Sequence, residues 1–337
     1  MLFKIKINNM LISKMIRTLI FLLILLKPIT SFSGELETRS EIKNNVKALF
    51  YAGNYEQLNK IGSSYRDDKL RTSSGLWKLT LYSVGLSSIP NTKIKDSNYW
   101  LNLKKRSLKW LELDNKSSFA HLFYVDILIN EAWMHRGSGW AYNVRKENWE
   151  PFYETIEEAK KYLIKNREIN EVDPRWYEKM LTIAKAQSWD EGEFHDLLNE
   201  ALNKYPQFYE IYFRAINYLQ PRWHGSVEEI ENFARYASKK NGNGMYARIY
   251  WYVSQAEFGN ELFTKSKARW ADMKLGIDDV ISVYPDQWNI NNFALFSCLA
   301  KDKEMTGKLI NMIQGEPMIK VWRDAKFFDY CQSFNGK

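Results

Sequence analysis

The sequence predicts an all-α fold of antiparallel helix pairs, and three observations point there. After residue 40, apolar side chains return at steps of three and four nearly everywhere, with no strand-type alternation. Asp173-Pro174, Tyr205-Pro206 and Tyr284-Pro285 each stand where one apolar-periodic stretch stops and an aromatic-rich one begins, as expected of helix boundaries. The 337 residues are 45% hydrophobic, with only 16 Gly and 8 Pro, which suits a large helical core and excludes a loop-dominated or low-complexity chain.

Residues 1–33 read as a secretory signal peptide. Lys14 and Arg17 precede an apolar run at 19–26, and Ser31 and Ser33 supply the small residues a signal peptidase reads before Gly34. The run is shorter than the roughly 20 residues of a spanning helix, so no stable membrane span is expected once the leader is removed. This segment holds five basic residues and no acidic one; without it, 43 basic residues face 40 acidic ones. The formal charge of +8 therefore belongs mostly to the leader, and with export this argues against nucleic acid as a partner. A periplasmic or secreted location follows as the expectation.

Residues 34–97 are read as an N-terminal helical segment and 98–337 as the main body, divided by the polar connection at 85–97 around Pro90. Within the first part, Ala52-Gly53-Asn54-Tyr55-Glu56 has the form of a turn between paired helices. A break at Arg136-Gly137-Ser138-Gly139 separates a helix ending near Trp133 from one starting near Trp149. Phe152, Ile156, Ala159 and Leu163 then mark one helical face, and Val227, Ile230, Phe233, Ala234 and Ala237 another. Ser226 with Glu229 forms a capping box at the start of the latter. Cys298 and Cys331, the only cysteines, are either paired, as an oxidising compartment allows, or two buried thiols in helix interfaces.

Chemistry-bearing motifs are scarce. There is no His-Glu-x-x-His pair, phosphate-cradling glycine loop, nucleophile elbow or dinucleotide fingerprint, so neither a metal nor a cofactor is expected. Two turns concentrate functional side chains instead. Pro221-Arg222-Trp223-His224-Gly225-Ser226 places a guanidinium, an indole and an imidazole together, which suits an acidic or aromatic ligand or, equally, a helix corner in which Arg222 ties down carbonyls and Trp223 fills the core. The stretch Trp133 to Trp140 has the same mixture in Arg136, Gly137, Gly139 and Trp140. If both turns open on one face they make a concave site.

The stretch from Gly192 through Phe194, Leu198, Ala201, Leu202 and Pro206 to Tyr212 resembles successive helices of tetratricopeptide units, irregularly spaced, and the fold class is read as a divergent tetratricopeptide-like α-solenoid. Through the Pro-Arg-Trp-x-Gly-Ser turn, the Arg-Gly-x-Gly loop and the run from Tyr284 to Cys298, the chain resembles, over roughly 45–333, a bacterial domain-of-unknown-function family with such helices. The resemblance implies the fold and makes Arg136, Gly137, Gly139, Arg222, Trp223 and Gly225 a shared site, with Cys331 a recurring feature; it brings no activity with it. The function expected is an exported module that binds an envelope protein or peptide, anchored by Arg136 and Arg222. The alternative is an envelope enzyme or cell-wall glycan binder using Arg222, Trp223 and His224.

Overall fold

The computed structural model describes residues 34–335, so the expected signal peptide at 1–33 lies outside the described residues. The fold is all-α. Its main helices are α1 (Glu35–Ala52), α2 (Tyr55–Asp67), α3 (Lys78–Ser87), α4 (Ser97–Leu113), α5 (Ser118–Arg136), α6 (Trp149–Lys165), α7 (Arg175–Gln187) and α8 (Glu191–Lys204). These are followed by α9 (Tyr209–Leu219), α10 (Val227–Asn241), α11 (Asn243–Val253), α12 (Trp270–Val283), α13 (Gln287–Leu299), α14 (Lys303–Asn311) and α15 (Ala325–Gln332). Among the described residues the extended backbone amounts to one isolated antiparallel bridge, Arg71 with Trp77.

The helices form where the apolar spacing places them. On α6 the buried residues are Phe152, Ile156, Ala159 and Leu163, one stripe at four-, three- and four-residue steps. Caps fix the boundaries: Asn54, Asp96, Ser117, Asp190, Ser226, Asp286, Asp302 and Asp324 each accept a backbone N–H of the first turn that follows. Of the capping box expected at Ser226, one arm forms: its hydroxyl accepts the Glu229 N–H at 3.2 Å, while the Glu229 carboxylate takes the Ser226 hydroxyl proton at 2.8 Å rather than a backbone N–H.

Helices next to each other in sequence pack together, α5 against α6 and α11 against α12, and α7 packs past α8 against α9. Helix α12 approaches α11 closely because Gly276 faces α11, where a Cβ would meet the Asn243 carbonyl and the Ala247 methyl. Residues 35–335 form one compact unit, and the connection expected at 85–97 runs inside it, with 85–87 belonging to α3 and Ser97 opening α4.

Contacts also join the two ends of that unit, which a strictly one-dimensional stack of repeats would not do. The 70–77 loop is the joint: Ser74 O accepts from Asn289 Nδ2 at 3.1 Å and from Arg248 Nη2 at 3.3 Å, and Trp77 meets Phe208 edge-on at 5.4 Å. From α1, Arg39 lies over the Trp288 ring of α13 at 5.1 Å. Glu35 anchors the loop from beneath through Thr72, Ser73 and Ser74, at 2.7 to 3.1 Å. Burial alone would raise the Glu35 carboxyl, yet these donors and Arg39 hold it below its ordinary range.

At the far end, Cys298 on α13 and Cys331 on α15 are bonded, with Cα atoms 5.7 Å apart. No helix of the described residues is long and apolar enough to cross a membrane.

Candidate functional site

The two turns rich in functional side chains open into one cleft of about 680 Å3, whose walls come from the 136–141 loop, α6, α7, the end of α9 and the 222–224 turn. Helix α5 runs to Arg136, past the end near Trp133 that periodicity suggests. It stops because Gly137, at φ +80° and ψ 175°, turns the chain out while its N–H still donates to Trp133 O at 2.8 Å.

Arg136, expected to anchor a partner, braces its own loop from within. It is 7% exposed, lies flat between Trp133 (5.2 Å) and Trp149 (5.1 Å), and donates from Nη1 to the Gly137 and Gly139 carbonyls at 3.0 and 3.1 Å. Gly139 lines the cleft; Gly137 shapes the turn without lining it. Trp140 stands at the mouth, 59% exposed, stacked on the 81%-exposed Tyr142.

In the second turn, Trp223 N donates to Gln220 O at 2.9 Å and His224 N to Tyr218 O at 3.1 Å, which caps α9. Gly225 is required for space: a Cβ there would overlap the Leu219 carbonyl. Arg222 is half committed, donating to Gln220 Oε1 at 2.8 Å and Ala256 O at 3.3 Å and pairing with Glu257 at 3.3 Å, yet it still reaches the cleft. The His224 ring packs on Tyr218, and its Nε2 sits 3.2 Å from Lys185 O.

Lys185 was not among the residues the sequence singles out. It lies on α7 in the floor of the cleft, its Nζ 4.2 Å from the Trp223 ring centroid and 5.5 Å from that of Trp133. Trp133 and Trp223 meet each other edge-on at 6.1 Å, completing an aromatic corner. Burial, then the charges of Arg214, Arg222 and Arg136, push the Lys185 amine down to about 8. No carboxylate among the described residues pairs with it, and no Asp, Glu or Gln lines the cleft. Trp149 stacked with Tyr153, and Asn217, whose Oδ1 accepts from Tyr252, complete the walls.

The cleft is therefore cationic, aromatic and poor in acceptors. Chemically it can take an anionic group at Lys185 and Arg222 and an apolar or aromatic group against the indoles. Among the described residues no cluster of three or more His, Cys, Asp or Glu is arranged to hold a metal ion.

Residues 152–238 match a family model described as a domain of unknown function, DUF4034. The match runs from α6 to α10 and so contains Lys185 and the 222–226 turn, whereas the Arg136–Trp140 loop precedes it. No curated protein and no solved structure matches the chain.

Proposed function

We propose that this protein is an exported binding module of the bacterial envelope that takes a protein or peptide segment through a carboxylate, held by Lys185 and Arg222 in the aromatic cleft. The observation that carries the reading is the Lys185 ammonium, set between two indoles with no carboxylate partner. A desolvated, unpaired cation is costly to keep, and an incoming anion removes that cost. Export is supported by the leader anatomy and by the Cys298–Cys331 bond, since disulfides persist in oxidising compartments.

Two features weigh against the enzyme alternative. An enzyme built on this turn would need a carboxylate beside it for acid–base work, and none lines the cleft, while His224 Nε2 is engaged by Lys185 O. A sugar presents many hydroxyl donors, and this lining has few acceptors to meet them.

The test is a tryptophan-fluorescence titration of the purified protein with N-acetyl-alanyl-alanyl-phenylalanine, its C-terminal amide and trigalacturonate. The free acid binds, the amide binds at least about tenfold more weakly, and Lys185→Met or Arg222→Ala abolishes the difference. Equal affinity for acid and amide overturns the reading, and preferential binding of trigalacturonate replaces the peptide with an acidic glycan.

A further inference from the structure

A second, smaller pocket of about 190 Å3 lies on the same helices as the cleft. It is lined by Glu178 of α7, Glu210 and Arg214 of α9, and Thr80, Ser83 and Ser88 at α3, among others. Glu178 is 7% exposed; its Oε1 accepts both Nε and Nη2 of Arg214, at 3.0 and 2.7 Å, while its Oε2 is buried without any hydrogen-bond partner. A native interior rarely leaves a carboxylate oxygen unmet, because the desolvation cost is not recovered.

The local charges do not balance. Arg214 is one guanidinium between two carboxylates, and the nearby Lys179 is already taken by Asp126 at 2.5 Å, with Ser87 on the other Asp126 oxygen. One negative charge is therefore left over whenever Glu210 is ionised. A bare metal ion would be repelled by the guanidinium in contact with Glu178. An ammonium group, with three donors and a single charge, matches the free Oε2, the second carboxylate and the serine and threonine hydroxyls.

The spacing to the cleft is set by helix geometry. Glu178 and Lys185 are two turns apart on one face of α7, about 10 Å along the axis, and Glu210, Arg214 and Asn217 follow the same pitch on the packed α9. An extended chain advances about 3.3 Å per residue, so three residues cover that distance.

We infer that the Glu178–Glu210 pocket is an ammonium subsite, which receives the amino terminus of the same short peptide whose carboxylate lies at Lys185 and Arg222. The inference deepens the proposed function and rests on it.

The experiment measures binding of alanyl-alanyl-phenylalanine, its N-acetyl form and its C-terminal amide to the purified wild-type protein and to Glu210→Gln. Acetylation weakens binding to wild type by about tenfold or more, the loss expected for one charge-assisted contact. Glu210→Gln weakens the free peptide by a similar factor and leaves the acetylated one unchanged. Glu210 is chosen because it makes no hydrogen bond whose loss would unfold the chain, and unchanged helicity of the variant is the control. If acetylation costs nothing, or if Glu210→Gln keeps the preference for the free amine, the ammonium subsite is wrong. Weakening by amidation alone leaves the carboxylate cleft standing while this inference falls. No effect of amidation, or no binding of any of the three, overturns both.

Discussion

Lys185 Nζ sits 4.2 Å from the centre of the Trp223 indole, so a cation on α7 is held by a ring from the turn that ends α9. The contact offsets part of the cost of desolvating the ammonium, as does the second ring of Trp133, but three nearby guanidiniums add to that cost. The balance lowers the amine to about 8, and a base lowered by folding destabilises the native state in its charged form.

Lys185→Met therefore raises stability at neutral pH, by about 1 kcal/mol, which for a chain of this size is a Tm rise of roughly 2 °C. The sign in pH is fixed by the shift. Below about 8 both states carry the proton and the penalty is complete; between about 8 and the ordinary value of 10.5 the folded state releases it first, so wild type gains stability as pH rises. Denaturant titrations at pH 7 and pH 10 show the advantage of the variant shrinking at the higher pH. A constant advantage would mean that burial of charge is not its source.

The glycines that shape the two turns, Gly225 and Gly137, fail differently when given a side chain. At Gly225 the backbone is ordinary and the obstacle is the Leu219 carbonyl, so Gly225→Ala displaces the turn and costs about 3 kcal/mol. At Gly137 nothing lies within reach of a Cβ, but φ +80° with ψ 175° is nearly glycine-only, so Gly137→Ala costs about 2 kcal/mol through strain. Urea denaturation gives both losses, and tryptophan fluorescence separates them. Gly225→Ala perturbs the packing of Trp223 on Trp133, while Gly137→Ala loosens Arg136 from Trp149.

How far such details were legible in the sequence depends on the range of the interaction. The α6 stripe of Phe152, Ile156, Ala159 and Leu163, the cap at Ser226 and the helix boundaries at Pro174, Pro206 and Pro285 are local, and each follows from spacing or backbone chemistry within a few residues. Arg136 and Arg222 were visible as unusual turn residues, but their division into brace and half-free cation depends on which carbonyls the fold brings near. Lys185 between two alanines looks like any solvated helix cation; its burial is created by Trp133 and Trp223 from distant stretches of chain. Glu210, in the first turn of α9, reads as an acid complementing the helix dipole, and only the packing of α9 against α7 sets it beside Glu178. The joining of the first helix to α13 by the 70–77 loop likewise has no local signature.

The disulfide acts mainly on the unfolded chain. A bond across a sequence separation of 33 removes loop-closure entropy worth about 3 to 4 kcal/mol in the chain-entropy treatment. The double substitution Cys298→Ala with Cys331→Ala, which also leaves a small gap where both sulfurs are buried, lowers the denaturant midpoint accordingly. Hydrogen exchange localises the loss: amides of α14 and α15, held to α13 through this bond, lose protection before those of α5 to α7. Uniform loss across the chain would place the bond in the global core rather than at a stapled end.

Glu210 gives the sharpest dependence on pH. Burial, then the charge of Glu178, pushes its carboxyl up to about 7, and the opposing pull of Arg214 does not cancel them. An acid raised by folding binds its proton more tightly in the native state than in the unfolded chain, where the value is 4.5. Its contribution therefore favours the folded state below 4.5 and is lost as pH climbs from 4.5 to about 7. Gln is the uncharged counterpart of the protonated acid, so Glu210→Gln carries no such loss. Against wild type the variant is nearly neutral at pH 4.5 and more stable by about 1 to 2 kcal/mol at pH 8, with the change centred between those values. Paired denaturation curves across that range measure it directly. A difference that does not vary with pH would show that burial and the charge of Glu178 do not hold the proton on Glu210, and that the two carboxylates do not share the single guanidinium of Arg214.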